Sequence, residues 1–181
     1  MSQLPALEGY SFWLLLSDKS EKIVSDWMNR FREAYPSPEF KPHLTLLGLD
    51  YETAGYSFRE EDLVNAAMSI ASEARSFQLE MDGIDGNDHP YQPFYIQIKA
   101  SNTLISLRNR LISQLNIQAK PETYNPHISL LYGKMDQKVR QSLIRDVSIR
   151  PSGKLASAGI GLIRVSGIPE NWDMVHKSGF I

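Results

Sequence analysis

The sequence predicts an α+β fold of two lobes built on one plan. Three observations carry that expectation. Short apolar, strand-like runs alternate with amphipathic stretches along the chain, and the order of these segments repeats once at a fixed spacing. Neither a GxGxxG nor a P-loop pattern is present to suggest a doubly wound parallel sheet. With 181 residues, 42% of them apolar, the chain is long enough for one well-filled domain or two tightly joined lobes. We expect a single bilobal domain over residues 1–181, with two small, antiparallel-rich sheets facing one another and helices outside. Its repeat units cover about 10–84 and 94–178.

Each element has its own signal. YSFWLLLS (10–17) is aromatic and apolar without helical punctuation, as in a mostly buried strand. Asp18 with Glu21 forms a capping-box pattern, and Ile23, Trp27 and Phe31, with Val24 and Met28 beside them, make an apolar stripe at helical spacing. PSPEFKP (36–42) ends that helix, because each proline removes a donor and restricts its predecessor. PHLTLLGLD (42–50) follows as the second strand. Ser57 and Glu60 offer another capping box, for a helix to about Arg75 buried through Leu63, Val64, Ala67, Ile70 and Ala71. FQLEMDGI (77–84) is a third strand, and DGNDHP (85–90) is a turn of residues that tolerate left-handed backbone or fix φ.

The cycle then restarts with the strand YQPFYIQIKA (91–100). Asn102 caps a helix whose stripe is Leu104, Leu107, Leu111, Ile112 and Leu115. The polar loop AKPETYNP (119–126) leads to the strand HISLLYG (127–133), and Asp136 opens a helix to about Val147. RPSG (150–153) turns the chain into closing strands over 156–165 and 172–178. A shift of 84 residues, the separation of His43 and His127, places Tyr10 on Phe94, Asp18 on Asn102, Trp27 on Leu111, Phe31 on Leu115 and Pro42 on Pro126. The same shift places Thr45 on Ser129. Strand, cap, helix stripe and polar pair all align at one offset, which is the mark of an internal duplication.

The polar pairs carry the chemistry. In a strand, residues i and i+2 share a face, so His43 projects with Thr45 and His127 with Ser129, while Leu44, Leu46, Ile128 and Leu130 turn into a core. If a pseudo-twofold axis relates the lobes, the pairs converge on one cleft. Two imidazoles that titrate near neutrality suit in-line displacement at a phosphodiester, where one group takes a proton from the attacking oxygen and another gives one to the leaving oxygen. Thr45 and Ser129 can hydrogen-bond the non-bridging oxygens. A lone buried histidine bonded to a hydroxyl is a common core group. However, a random histidine has proline before it and a hydroxyl two residues on only on the order of once in a hundred times, and here two of four do, at matching points of a repeat.

Composition narrows the partners. A formal net charge of -2 gives no broad basic surface for a long nucleic acid, while a small anionic ligand held by a few placed groups fits. The absence of cysteine excludes disulfides, thiolate catalysis and Cys-ligated zinc. Two histidines without a carboxylate at ligand spacing leave a catalytic zinc short of a protein ligand, so no metal and no cofactor are expected. The first twenty residues lack a basic n-region and a bilayer-length apolar run, which makes cytoplasmic placement the default, with no membrane partner and a monomer expected.

PHLTLLG and PHISLLYG resemble the paired His-x-Thr/Ser motifs of the two-histidine phosphoesterase superfamily. Within it the chain is most similar to the plant and yeast type cyclic phosphodiesterases, through YSFW, EFKPHLT, YQPFYIQIK with its Gln92, PHISLLYG and NWDMV. The resemblance implies the bilobal fold of that superfamily. It also implies metal-independent hydrolysis of ADP-ribose 1″,2″-cyclic phosphate to the 1″-phosphate, a late step in disposal of a tRNA-splicing by-product, and of nucleoside 2′,3′-cyclic phosphates to 2′-phosphates. Carried across, His43 and His127 are the acid and base, and Thr45 and Ser129 bind the phosphate. Tyr132 stacks on the substrate base, its plainer reading being an aromatic that caps the strand end, and Trp13 lines the entrance or is a core tryptophan. The sequence does not decide which ring is the base; the working order takes His127 as base for water and His43 as acid for the leaving 2″-oxygen. Plant members carry several cysteines, a departure that bears on redox control and not on the phosphoester chemistry.

The remaining candidates are weaker. His89 reads as an exposed loop side chain and His176 as structural or superficial. Lys41 and Lys134 read as solvated lysines beside strands, and FREED (58–62) as a solvated helix start. Two other functions compete: an RNA-end or 2′,5′-oligonucleotide phosphodiesterase or ligase-like enzyme, which would want a basic groove, and a non-catalytic nucleotide or RNA binding module, which needs no proton donor and acceptor.

Overall fold

The computed structural model describes residues 4–50, 58–117, 124–146 and 153–181. Seven strands and four helices are formed among them: β1 (Leu7–Leu16), α1 (Asp18–Arg32), β2 (Leu44–Asp50), α2 (Glu60–Ala71), β3 (Gln78–Asp85), β4 (Phe94–Ile98), α3 (Asn102–Gln114), β5 (His127–Leu131), α4 (Gln137–Asp146), β6 (Lys154–Gly167) and β7 (Asp173–Gly179), with a single 3-10 turn at Pro169–Asn171. The strand order is β2-β1-β6-β3-β4-β5, with β7 added to β6 and every pairing antiparallel. This order reads the same from either end once β1, β2 and β3 are matched with β4, β5 and β6. β7 has no counterpart.

The two expected sheets are joined edge to edge, because β6 spans both. Its first residues, Lys154 to Ala156, pair with β3, and the stretch from Ser157 to Gly167 pairs with β1. Each half's third strand therefore crosses to the other half's first strand. The helices cross as well: α1 packs on β5 and α3 on β2. At one such crossing Phe31 meets Phe94 edge to face, with ring centroids 4.9 Å apart. Truncating a buried phenylalanine such as Phe94 costs about 3–5 kcal/mol, so these crossings weld the halves together.

β1 reads as an unbroken apolar run because both of its faces are covered. Tyr10, Phe12, Leu14 and Leu16 enter the main core, while Trp13 and Leu15 join Ile163, Trp172 and Met174 on the opposite face. Leu44, Leu46, Ile128 and Leu130 are buried in the main core, as the alternation requires. On α1 the buried stripe is Ser20, Val24 and Met28, flanked by Trp27 and Phe31, and Ile23 sits on the solvent side of it.

Helix starts fall one residue earlier than expected where two capping residues adjoin. Ser17 precedes α1, and Asp18 is its first helical residue, an acid at the positive end of the dipole. Ser101, not Asn102, caps α3, its hydroxyl accepting from the Leu104 N–H at 3.2 Å. Asp136 caps α4 as predicted, accepting from the Lys138 N–H at 2.8 Å. Ser57 lies outside the described residues, as do Val147 and the first three residues of the RPSG turn. Glu60 accepts from Tyr10 and Arg164. No helix among the described residues is long and apolar enough to cross a membrane.

Candidate active site

His43 immediately precedes β2 and His127 opens β5, at matching positions on strands at opposite ends of the sheet path. Their immediate surroundings are the same. His43 Nδ1 lies 2.7 Å from the carbonyl oxygen of Lys41, and His127 Nδ1 lies 2.9 Å from that of Asn125. A carbonyl can only accept, so Nδ1 carries the proton in each ring and donates it. Nε2, on the far side of each ring, is left to exchange protons. The proline between is what makes this bond: it fixes φ and holds the preceding residue extended, presenting that residue's carbonyl to the imidazole two positions on.

Both rings, with Thr45, Ser129, Trp13 and Tyr132, line one open cleft of about 630 Å³. All six residues singled out from the sequence are thus brought together. Burial pulls the pKa of His43 from its usual 6.5 to about 3, with the Lys41 carbonyl resisting and His127 adding to the fall. His127 is less enclosed and is also lowered, chiefly by burial, against the Asn125 carbonyl and with help from His89. Both imidazoles are therefore neutral at pH 7.

The aromatic members of the set also make specific contacts. Trp13, which lines the cleft, is also a flat support for His43, with ring centroids 3.5 Å apart and planes within 5°. β1 places it there, since Trp13 pairs with Thr45 across a bulge. Tyr132 is 5% exposed and one of its faces is already covered by Phe40, at 3.7 Å and 16°. Tyr91 and Trp172 pack against Tyr132 at steep angles, with ring centroids 5.1 and 6.1 Å away. The Ser129 hydroxyl donates to the Tyr91 carbonyl at 3.1 Å, whereas the Thr45 hydroxyl makes no hydrogen bond among the described residues.

A family model described as the 2′-5′ RNA ligase superfamily matches residues 18–167. The chain belongs to that superfamily. A cyclic phosphodiesterase of Arabidopsis thaliana is 20% identical over 133 residues, covering 74% of this chain and 70% of that protein. Among solved structures, E. coli LigT in its apo form superposes with a TM-score of 0.62 at 18% identity, covering 97% of this chain and 98% of LigT. A Thermus thermophilus protein superposes with a TM-score of 0.62 at 15% identity, covering 94% and 97%. LigT has also been solved with 3′-AMP, and that structure gives a TM-score of 0.59 at 18% identity over 96% of this chain and 98% of its own. These likenesses establish the superfamily fold.

Several cleft residues were given no site role from the sequence. His89, Tyr91 and Gln92 reach the cleft on the loop between β3 and β4. That loop is tied by the bond from Asn87 to Gln92, 2.9 Å, and by the buried Arg140, which donates to the Asn87 carbonyl and to Asp88. Gly86 is required there, since a Cβ would lie 2.1 Å from the Pro93 carbonyl oxygen. His89 is exposed, as foreseen, yet it lines the site beside His127. Arg108, Tyr124 and Trp172 complete the cleft. Lys41 borders a neighbouring cavity, and Lys134 is exposed and lines neither. His176 begins a third His-x-Ser triplet, its Nε2 2.7 Å from Ser178 Oγ, and lies on β7 away from the cleft. Among the described residues no cluster of three or more His, Cys, Asp or Glu side chains could hold a metal ion.

Proposed function

We propose that the chain is a phosphodiesterase that opens small nucleotide cyclic phosphates, with ADP-ribose 1″,2″-cyclic phosphate and nucleoside 2′,3′-cyclic phosphates as its substrates. The observation that carries this reading is the matched pair of imidazoles, each fixed through Nδ1 by a carbonyl and both lining one cleft with a hydroxyl two residues on. Water attacks the phosphorus of the cyclic diester as one Nε2 takes its proton. The bond from phosphorus to the ribose oxygen breaks as the other Nε2–H protonates that oxygen, leaving a phosphomonoester. The Thr45 hydroxyl donates to a non-bridging oxygen, and the imidazolium offsets charge gathering on the phosphorane.

Burial orders the two rings. One must be protonated before the reaction, and protonating His43 at pH 7 costs on the order of 5 kcal/mol. The more open His127 takes that proton at lower cost, so His127 is the acid and His43 the base. This reverses the working order, which the sequence left undecided. A bound anionic diester favours the charged form of both rings and brings His127 into range.

Small substrates are favoured over oligonucleotides because, among the described residues, one Lys or Arg side chain lines the cleft, where several backbone phosphates would need a basic track. The test is product analysis with EDTA present, offering ADP-ribose 1″,2″-cyclic phosphate, nucleoside 2′,3′-cyclic phosphates and 2′,5′-oligoadenylate. Release of the 1″-phosphate and of 2′-phosphates is expected. Turnover of the oligoadenylate alone, or loss of activity with chelator, would sink the reading.

A further inference from the structure

We propose that Arg108 sets the substrate class of the cleft by holding a second phosphate, one that is not hydrolysed, so that cyclic phosphates bearing a further phosphate are preferred over those without. The proposal rests on the reading of the site as a cyclic phosphodiesterase. Among the described residues Arg108 is the one Lys or Arg that lines the cleft, and it enters no ion pair there. Its guanidinium carbon lies 4.8 Å from the centre of the Tyr124 ring, and the Tyr124 hydroxyl donates to the Thr45 carbonyl at 2.8 Å. The cation is thus stacked on a ring that is anchored to the backbone of the phosphate-binding strand.

Such a stack fixes the plane of a guanidinium while leaving its N–H edges open, and those edges match two oxygens of a phosphate. In this arrangement the two imidazoles and Thr45 hold the reacting phosphorus, and Arg108, which lies over the face of Tyr124 while the Tyr124 hydroxyl reaches the Thr45 carbonyl, holds the other phosphate from the Tyr124 side of the cleft. Among the described residues no other Lys or Arg lines the cleft, so an additional anionic group is directed toward Arg108. A 5′-phosphate or a diphosphate bridge would meet the same chemistry.

The experiment compares a nucleoside 2′,3′-cyclic phosphate with and without a 5′-phosphate, in the wild type, Arg108→Gln and Arg108→Lys. The wild type should favour the 5′-phosphorylated substrate at least tenfold in kcat/KM, mainly through KM. Arg108→Gln should collapse that preference, and Arg108→Lys should restore part of it. Calorimetry with a nucleoside 2′-phosphate and a nucleoside 2′,5′-bisphosphate gives a second measure that needs no turnover, and Arg108→Gln should equalise the two affinities. A wild type that hydrolyses neither cyclic phosphate defeats the functional reading, while the calorimetric comparison still decides on Arg108. A loss shared equally by both substrates and both ligands, or a preference that survives in Arg108→Gln, overturns the proposal.

Discussion

The two halves of the site share a plan and differ in what surrounds it. Both present an imidazole held through Nδ1 by a carbonyl two residues back, followed by a hydroxyl on the same strand face. In the first half the imidazole lies flat on Trp13 and is 6% exposed, and the Thr45 hydroxyl is unengaged among the described residues. In the second the imidazole leans on Tyr95 at 51° and is more open, and the Ser129 hydroxyl is spent on the Tyr91 carbonyl. A duplicated chain thus supplies two equal groups, and the packing around them makes the groups unequal. In-line displacement needs that inequality, since a base and an acid must differ in protonation at one pH.

The largest break in the comparison comes from the rings themselves. His43→Ala and His127→Ala should each lower kcat/KM by about 10³-fold with the fold retained, as circular dichroism would verify. The pH profile separates them. The wild type should give a bell, with the rate falling at low pH as the base is protonated and at high pH as the acid loses its proton. His43→Ala should keep only the alkaline fall and His127→Ala only the acidic one. The opposite pattern would make His127 the base and His43 the acid.

The hydroxyls should fail in different ways. Thr45→Val keeps the volume and removes a hydroxyl that lines the cleft; if that hydroxyl binds the substrate phosphate as proposed, turnover should drop roughly 10- to 100-fold with little change in thermal midpoint. Ser129→Ala leaves the Tyr91 carbonyl without its partner in a buried setting, at a cost of about 1–3 kcal/mol in stability. Denaturant titration of both variants checks this, and equal destabilisation would erase the distinction between the halves.

Those four residues were legible because strand alternation and one repeat offset fix which side chains share a face and which positions correspond. What stayed hidden depended on approach between segments remote in sequence. Trp13 looked like a core or entrance residue, because nothing in YSFW states that β1 pairs Trp13 with Thr45 and lays it under His43. Arg108 sits in a helical pattern whose apolar stripe explains the segment without it, and only the packing of α3 on β2 brings it to the cleft. His89 lies in a turn whose composition predicts exposure, which is correct; the loop's anchor, Arg140, comes from α4 more than fifty residues later. The caps at Ser17 and Ser101 were missed by one residue because each adjoins a second good capping residue, and local pattern cannot choose between neighbours.

Stability should also depend on pH through the more deeply buried half. His43 has a folded-state pKa near 3 against 6.5 when unfolded, so below 6.5 the unfolded chain binds the extra proton and the folded one does not. The associated stability is complete above about pH 6.5 and is lost as pH falls toward 3, with about 2 kcal/mol gone by pH 5. His43→Gln should flatten that slope in urea unfolding measured at a series of pH values. His127→Gln should flatten it less, since its ring is the more open of the two.

The smallest effect discriminates best. His89 faces only the second half, where its charge opposes protonation of His127. His89→Asn removes that opposition, so the limb belonging to His127 should move up in pH by less than about one unit, while the limb belonging to His43 stays where it was. If His127 is the acid, the alkaline limb is the one that moves and activity extends to higher pH. If it is the base, the acidic limb moves and activity at low pH is lost. Both limbs moving together would mean that the two rings titrate as one unit, and burial would then have failed to make them different.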